Sequence, residues 1–426
     1  MNSTRLMNDL SMSPVSAADI DAAAERLRGI AVRSPLHVSA RLSESSGAQV
    51  WFKREDLQPV RSYKIRGAYN LISQLTEDER ARGVVCASAG NHGQGVALAC
   101  ALLGVRARIH VPSTTPKQKQ QRMRALGGEF VDLVVKGEVY DDAYQLAGIS
   151  AERDKFVMVP AFDDARTIAG QGTVAKEIVE QLGTAPDVVL VPVGGGGMLA
   201  GILTWIAEHC PSTQVIGVEP AGAPCMQAAF DAGKPVELKG IDTFVDGAAV
   251  RKAGALTYRI AAGHDVALLS VPEGRVCMEM LDLYHVDGII AEPAGALASS
   301  AIGQWTPEPG QSVVAILSGG NNDVSRYAEI IERALIAEGR KHYFLVSFPQ
   351  EPGALRRFLD DVLGPDDDIT YFEYVKRSNR ELGPALVGIE LGSADDLPEL
   401  KNRLQRSRIE VETIDPESPM GRFLVS

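Results

Sequence analysis

The run Asp187-Val188-Val189-Leu190-Val191-Pro192-Val193 passes without a break into Gly194-Gly195-Gly196-Gly197 and Met198. Its first half is as apolar as a strand buried on both faces of a parallel sheet. Its second half has no side chains, so main-chain N–H groups there can meet an anion directly. The helix that follows adds the positive end of its dipole. The segment is not G-x-G-x-x-G, and it lacks the Lys-Ser/Thr of a P-loop, which leaves a nucleotide as the second choice of ligand.

The same order of strand, small-residue loop and helix recurs along the chain. Val84-Val85-Cys86-Ala87 reads as a short buried strand, followed by Ser88-Ala89-Gly90-Asn91-His92-Gly93-Gln94-Gly95 and an Ala/Leu-rich helix. Residues 108–111 form a strand ended by Pro112, 117–126 a helix stopped by Gly127-Gly128, and 131–135 another strand. Strands are also expected at 49–53, 214–219 and 313–318, the last running into Ser318-Gly319-Gly320-Asn321-Asn322-Asp323. Upstream, Ser16 and Asp19 make a capping box before a helix whose Ile20, Ala24, Leu27 and Ile30 recur at helical spacing. The pattern predicts α/β architecture with parallel strands, in which ligands gather at the carboxyl ends of strands.

The last stretch has another character. After a helix at 327–338 the order is strand 343–348, helix 352–363, strand 369–375, strand 384–391, helix 397–404 and strand 409–414. That is the βαββαβ unit of an α+β, ferredoxin-like domain, with a boundary near Gly339.

Composition excludes several classes. A chain of 426 residues is long enough for two or three domains, and 45% apolar with 23% charged residues is ordinary for a globular protein. A net charge of −12 argues against a nucleic-acid partner. The scattered Cys86, Cys100, Cys210, Cys225 and Cys277 form no C-x-x-C pair, which fits reduced thiols and a cytoplasmic location. Residues 1–15 are polar and read as a flexible tail rather than a signal peptide. No run of about 18 apolar residues is available to span a membrane. The acidic run Asp366-Asp367-Asp368 lacks an EF-hand glycine and distal Glu and reads as a solvated loop.

One lysine is placed differently from the rest. In Ser62-Tyr63-Lys64-Ile65-Arg66-Gly67-Ala68-Tyr69-Asn70, Lys64 lies between a polar turn and a helix-forming run. An amine at such a boundary can meet an aldehyde, and desolvation would lower its pKa and make it a Schiff-base nucleophile. Ser62-x-Lys64 is one residue short of the S-x-x-K of β-lactamases.

Taken together, Lys64, the Ser88 loop, the four glycines and the Ser318 loop resemble the fold type II pyridoxal-phosphate family, the tryptophan-synthase-β-like enzymes, over residues 16–330. Arg54-Glu55-Asp56-Leu57-Gln58-Pro59-Val60 leading into Ser62-Tyr63-Lys64 is similar to the biosynthetic threonine dehydratases, with Tyr63 where a Phe is usual. The resemblance implies two mainly parallel α/β subdomains in a catalytic domain at 16–339, the smaller one, roughly 60–160, inserted in the larger. It implies pyridoxal 5′-phosphate as cofactor, with Lys64 as its Schiff-base lysine and the base at the substrate Cα. Asn91 would meet the pyridoxal 3′-oxygen, Gly194, Gly195, Gly196, Gly197 and Met198 the phosphate, and Ser318 the pyridine nitrogen. Ser88, Ala89, Gly90, Asn91 and His92 would cradle the substrate carboxylate.

Two departures refine the expectation. Serine racemases of this fold carry a second serine where Ala89 stands, so elimination is expected over racemisation. Glu219 and Ala223 match cation ligands of some relatives, but Cys225 stands where an Asp is expected, and hard cations prefer oxygen. No metal is therefore expected, and Glu219 reads as a structural carboxylate. Asp246-Gly247 and Glu292-Pro293 fall in loops that lie near the cofactor in the family, behind the residues that touch it.

Phe348-Pro349-Gln350-Glu351-Pro352-Gly353-Ala354-Leu355 resembles the ACT motif, which implies a regulatory domain at 340–426 with an amino-acid site at Glu351, Gly353, Ala354 and Leu355. The implied activity is conversion of L-threonine to 2-oxobutanoate and ammonia at the start of isoleucine biosynthesis, in a homo-oligomer (dimer or tetramer). L-Isoleucine is the implied effector, with L-valine as a second. An L-serine dehydratase, a β-replacing synthase and an amino-acid sensor with an inactive catalytic half stay open as alternatives.

Overall fold

The computed structural model describes residues 14–374, 381–407, 409–416 and 418–425. Most of the expected N-terminal tail, and Val375 at the end of one expected strand, lie outside the described residues. Val15, the last residue assigned to that tail, is already buried in the core. The chain divides into two compact units, Met1–Glu273 with Asp282–Asn322, and Gly274–Leu281 with Asp323–Ser426.

The first unit carries β1 (Leu36–Val38), β2 (Gln49–Arg54), β3 (Val84–Ala87), β4 (Ala107–Val111), β5 (Val131–Val135), β6 (Val157–Met158), β7 (Val188–Pro192), β8 (Gln214–Pro220), β9 (Ala267–Val271) and β10 (Ser312–Leu317). They form two sheets. The larger has the order β1-β2-β10-β7-β8-β9, parallel except for the β1–β2 edge. The smaller, β5-β4-β3-β6, is parallel throughout and comes from the chain between β2 and β7. Every residue of β3 and β7 is buried, as expected for strands covered on both faces.

Helix contacts then set where the loops meet. The first helix, Ala17–Arg26, begins with the expected reciprocal cap: Asp19 N–H donates to Ser16 Oγ (3.2 Å) and Ser16 N–H to Asp19 Oδ2 (2.9 Å). Its buried positions are Ala17, Ile20 and Ala23, so Ala23 takes the place expected for Ala24. Helix Ala165–Leu182 packs against both Lys64–Ile72 and Gly197–His209. At the second crossing Gly172 meets Gly201 main chain to main chain; a Cβ on Gly172 would lie 2.9 Å from Gly201 Cα. That crossing has no room for a methyl group.

A buried ionic network anchors the helix that starts at Lys64. Arg66 donates to both oxygens of Glu55 (2.8 and 2.8 Å) and both oxygens of Glu177 (2.6 and 2.9 Å). Lys53 Nζ adds bonds to Glu177 (2.6 Å), Gln181 (2.9 Å) and the Ser34 carbonyl (2.9 Å). Burial alone would push the Glu55 carboxyl up, but Arg66 and Lys53 outweigh it and hold that carboxyl below its usual range.

In the second unit, β11 (Lys341–Pro349), β12 (Asp368–Tyr374), β13 (Leu382–Glu390) and β14 (Glu410–Ile414) form an antiparallel sheet in the order β12-β13-β11-β14. With helices Ala354–Val362 and Leu397–Arg406 this is the expected βαββαβ order. Phe344, Val346, Phe348, Phe358, Val387 and Leu400 fill its core. The acidic run is not wholly solvated: Asp367 pairs with Arg403 (2.7 Å) and accepts the Gly364 N–H (2.7 Å).

Candidate active site

Lys64 is the first residue of helix Lys64–Ile72 and is half-buried. Its Nζ donates to the Ala161 carbonyl (3.2 Å) and lies 5.0 Å from the centre of the Tyr63 ring. Main-chain bonds clamp the turn before it to the loop after β10: Tyr63 N–H to Ser318 C=O (3.2 Å) and Gly320 N–H to Arg61 C=O (2.9 Å). On the other side, Gly95 brings helix Asn91–Leu103 against the Lys64 main chain, where a Cβ would sit 3.0 Å from the Lys64 carbonyl. Three segments remote in sequence thus fix one lysine at an element boundary.

The four-glycine loop follows β7 and opens helix Gly197–His209. Gly196, at the N-cap, has φ +90°, a left-handed conformation that costs glycine nothing. The helix makes its first bond from Ala200 N–H to Gly196 C=O (2.9 Å), so the preceding amides have no partner within the helix. No side chain fits in the loop. A Cβ on Gly194 would press on Ala248, on Gly195 on the Phe162 ring, on Gly196 on Met226 and Thr257, and on Gly197 on Gln171 and Phe162. The loop is also tied down, with Thr257 Oγ1 donating to the Gly195 carbonyl (2.6 Å). Met198 is fully buried behind it.

Asn91 begins helix Asn91–Leu103, and its side chain is held on both ends. Nδ2 donates to Glu292 Oε1 (2.5 Å), while Oδ1 accepts from Asn321 Nδ2 (2.7 Å). Burial, with the Asp246 charge adding to it, pushes the Glu292 carboxyl up to about 7. Asp246 itself pairs with Lys119 (2.8 Å). Ser318 is buried after β10, its Oγ donating to the Ala294 carbonyl (2.9 Å).

The Ser88 loop is built more openly. Ser88 Oγ accepts the Gly90 N–H (3.3 Å), and a Cβ on Gly90 would meet no atom within 4 Å. Ala89, Gly90 and Asn91 are half-buried, and no side chain caps the helix that starts there. The His92 ring is buried, bonded through Nε2 to the Val159 carbonyl (2.8 Å). Burial, with Lys64 adding to it, pushes its pKa down to about 4, which keeps the ring neutral. Glu219 accepts the N–H groups of Met226 (2.7 Å) and Gln227 (2.8 Å), capping helix Cys225–Ala232 as a structural carboxylate does.

Sequence reasoning missed several members of this assembly. Phe162 and Gln171 carry no motif of their own, Asn321 lies in the Ser318 loop with no role assigned to it there, and Glu292 is expected behind the residues that touch the cofactor, with no partner named. The one available signal was position: Asn321 and Glu292 both sit in loops at strand or helix ends. In the second unit, Glu351, Gly353, Ala354 and Leu355 line one cleft of about 580 Å³ with Phe348 and Phe372. Gly353 has φ +88° there and opens helix Ala354–Val362.

Comparison with known proteins bears on this arrangement. The family profile described as "Pyridoxal-phosphate dependent enzyme" matches residues 28–319, and the chain belongs to that family. A second profile, "C-terminal regulatory domain of Threonine dehydratase", matches residues 332–424. Within the family, the chain is 59% identical to the biosynthetic L-threonine dehydratase of Mycobacterium tuberculosis, over 99% of this chain and 100% of that one. It is 53% identical to that of Corynebacterium glutamicum, over 96% and 95%. Among solved structures, processed threonine deaminase isoform 2 from Solanum lycopersicum has a TM-score of 0.71 at 38% identity, covering 78% of this chain and 94% of that one. Maize serine racemase has a TM-score of 0.67 at 27% identity, covering 76% and 98%.

The residues present fit the family's cofactor. The glycine cradle has no room for side chains and has amides without helical partners, as a phosphate requires. Ser62 Oγ and Gln171 Oε1, one two residues before Lys64 and the other against the cradle, are buried without a hydrogen-bond partner among the described residues. Buried polar atoms left over in this way mark a place for a polar group.

Proposed function

We propose that this chain converts L-threonine to 2-oxobutanoate and ammonia. The observation that carries the reading is the clamp that holds Lys64 against the Ser318 strand end and the Asn91 helix, in a chain 59% identical to a biosynthetic L-threonine dehydratase. Lys64 would hold the cofactor through Nζ and then move the proton at the substrate Cα. Gly194, Gly195, Gly196, Gly197 and Met198 would hold the phosphate, and Asn91 would donate to the ring oxygen. Ser318 would face the pyridine nitrogen with a neutral hydroxyl, which does not enforce a protonated ring. The uncapped amides of the Ser88 loop would take the substrate carboxylate, with Ser88, Ala89, Gly90, Asn91 and His92 forming its wall. When bound, the cofactor supplies an electron sink for the bond broken at Cα. Ala89 offers no acid on the face of Cα opposite Lys64, which favours loss of the β-hydroxyl over racemisation.

The test uses purified protein. A visible absorption band that borohydride removes, and 2-oxo acid release that is fastest with L-threonine, are expected. L-Serine, and L-serine with sulfide, separate the serine dehydratase and β-replacing alternatives. A colourless protein releasing no oxo acid would sink the enzyme reading, and Lys64→Ala with full turnover would reject the role of that lysine.

The proposal extends to regulation. The domain starting near Gly339 would bind L-isoleucine, with L-valine as second candidate, at the cleft lined by Glu351, Gly353, Ala354 and Leu355. Main-chain N–H groups at Gly353 suit a carboxylate, and the apolar wall suits a branched side chain. Isoleucine is titrated against the intact protein and a truncation ending near Gly339; equal inhibition of both would place the effector elsewhere. A cytoplasmic homo-oligomer, dimer or tetramer, completes the reading. No described helix is long and apolar enough to cross a membrane.

A further inference from the structure

The two ends of an amide side chain have the same shape and opposite polarity, so its orientation must be imposed by its neighbours. For Asn91 the imposition can be traced to the main chain. Asn321 Nδ2 donates to the Val60 carbonyl (2.8 Å) and to Asn91 Oδ1 (2.7 Å). A main-chain carbonyl can only accept, so the nitrogen of Asn321 must lie on that side. Asn91 must then turn its oxygen to Asn321 and its nitrogen to Glu292 Oε1, 2.5 Å away. Gly319 leaves the space for this pair, since a Cβ there would press on the Glu292 carboxyl and lie 3.2 Å from Asn91 Nδ2.

Resting on the assignment of Asn91 to the pyridoxal ring oxygen, we propose that Asn321 and Glu292 are positioning residues that lock the Asn91 amide so that its second N–H is the group offered to that oxygen. Either neighbour with the wrong polarity would let the amide turn and offer its own oxygen instead, setting two acceptors against each other. Neither residue touches the reacting atoms in this scheme, and both act through Asn91.

The readout is the absorption spectrum of the cofactor-loaded protein. A donor at the ring oxygen favours the form in which that oxygen has lost its proton, which absorbs at longer wavelength. Asn91→Ala, Asn321→Leu and Glu292→Leu should each lower the ratio of long- to short-wavelength absorbance by about tenfold, the scale of one hydrogen bond. The double variant Asn91→Ala/Asn321→Leu should be no lower than either single one, because the second change removes nothing further. Additive losses in the double variant would overturn the proposal. Glu292→Gln keeps an acceptor and should stay within about twofold of the parent; a ratio as low as that of Glu292→Leu would overturn the acceptor role. An unchanged spectrum in Asn91→Ala overturns the assignment of Asn91 itself. A changed one there, with Asn321→Leu and Glu292→Leu unchanged, overturns only the positioning chain. If Asn321→Leu does not fold, judged by melting of the cofactor-free protein, Asn321→Ala takes its place with the same expected ratio.

Discussion

Two helix N-termini in the first unit, both rich in glycine, differ at the residues that precede the helix. At Gly194, Gly195, Gly196 and Gly197 each missing side chain is matched by a neighbour that already occupies the space. At Gly90 the missing side chain faces nothing within 4 Å. The first loop is shaped by packing and holds one conformation around its unpartnered amides. The second leaves open space beside its N-cap residue, Gly90. Identical helix-end electrostatics therefore serve two purposes: a rigid cradle suits a group that stays bound, and an open one suits a molecule that enters and leaves.

The largest expected effect tests the ionic network that anchors the Lys64 helix, outside both loops. Glu55→Ala leaves the fully buried Arg66 with one of its two carboxylate partners, and breaking a buried pair costs about 3–5 kcal/mol. Denaturant melting should show that loss, and a change under about 1 kcal/mol would mean the network relaxes around the gap. Next comes the cradle itself. Gly195→Ala drives a methyl group into the Phe162 ring, an overpacking of about 1–3 kcal/mol, so cofactor affinity should fall by about ten- to a hundredfold in equilibrium dialysis. Unchanged affinity would break the contrast between the loops.

A third prediction concerns Glu219, which caps the helix beside the cradle. Burial pushes its carboxyl up to about 7, above the unfolded value, so the folded state favours the protonated form. The stability it contributes is full below about pH 4.5 and is lost as pH rises through about 7. The melting temperature of Glu219→Gln should therefore fall less than that of the parent between pH 5 and pH 8. Parallel curves would place the titration in another group. The smallest effect is expected at the open loop. Gly90→Ala should leave cofactor affinity within about twofold, while KM for the amino acid rises severalfold, because the methyl intrudes only where a ligand would sit.

Much of this was legible in the sequence because it rests on local signals. The buried strands β3, β7 and β10, the small-residue loops after them and the βαββαβ order of the tail are patterns of adjacent residues, and the structure places them within a residue or two. The short strands β1 and β6, of three and two residues, offer too few positions for any period to show. The supports of the site were hidden for another reason. Glu292 meets Asn91 across 201 positions, and Arg66 meets Glu177 across 111. Such pairs come into register only when both sheets are assembled, and a buried Glu has no sequence mark that separates it from a surface one. Phe162 and Gln171 were unreadable as parts of the cradle because their role is to occupy space against glycine.

The crossing of Gly172 and Gly201 has a consequence for how this sequence can drift. In most cores a larger residue is accommodated when its neighbour becomes smaller. Here the neighbour is main chain on both sides, so no reciprocal trimming exists. Neither position can gain a side chain first, and no second change elsewhere in the pair opens a route. The two codons are held together without ever being able to compensate one another.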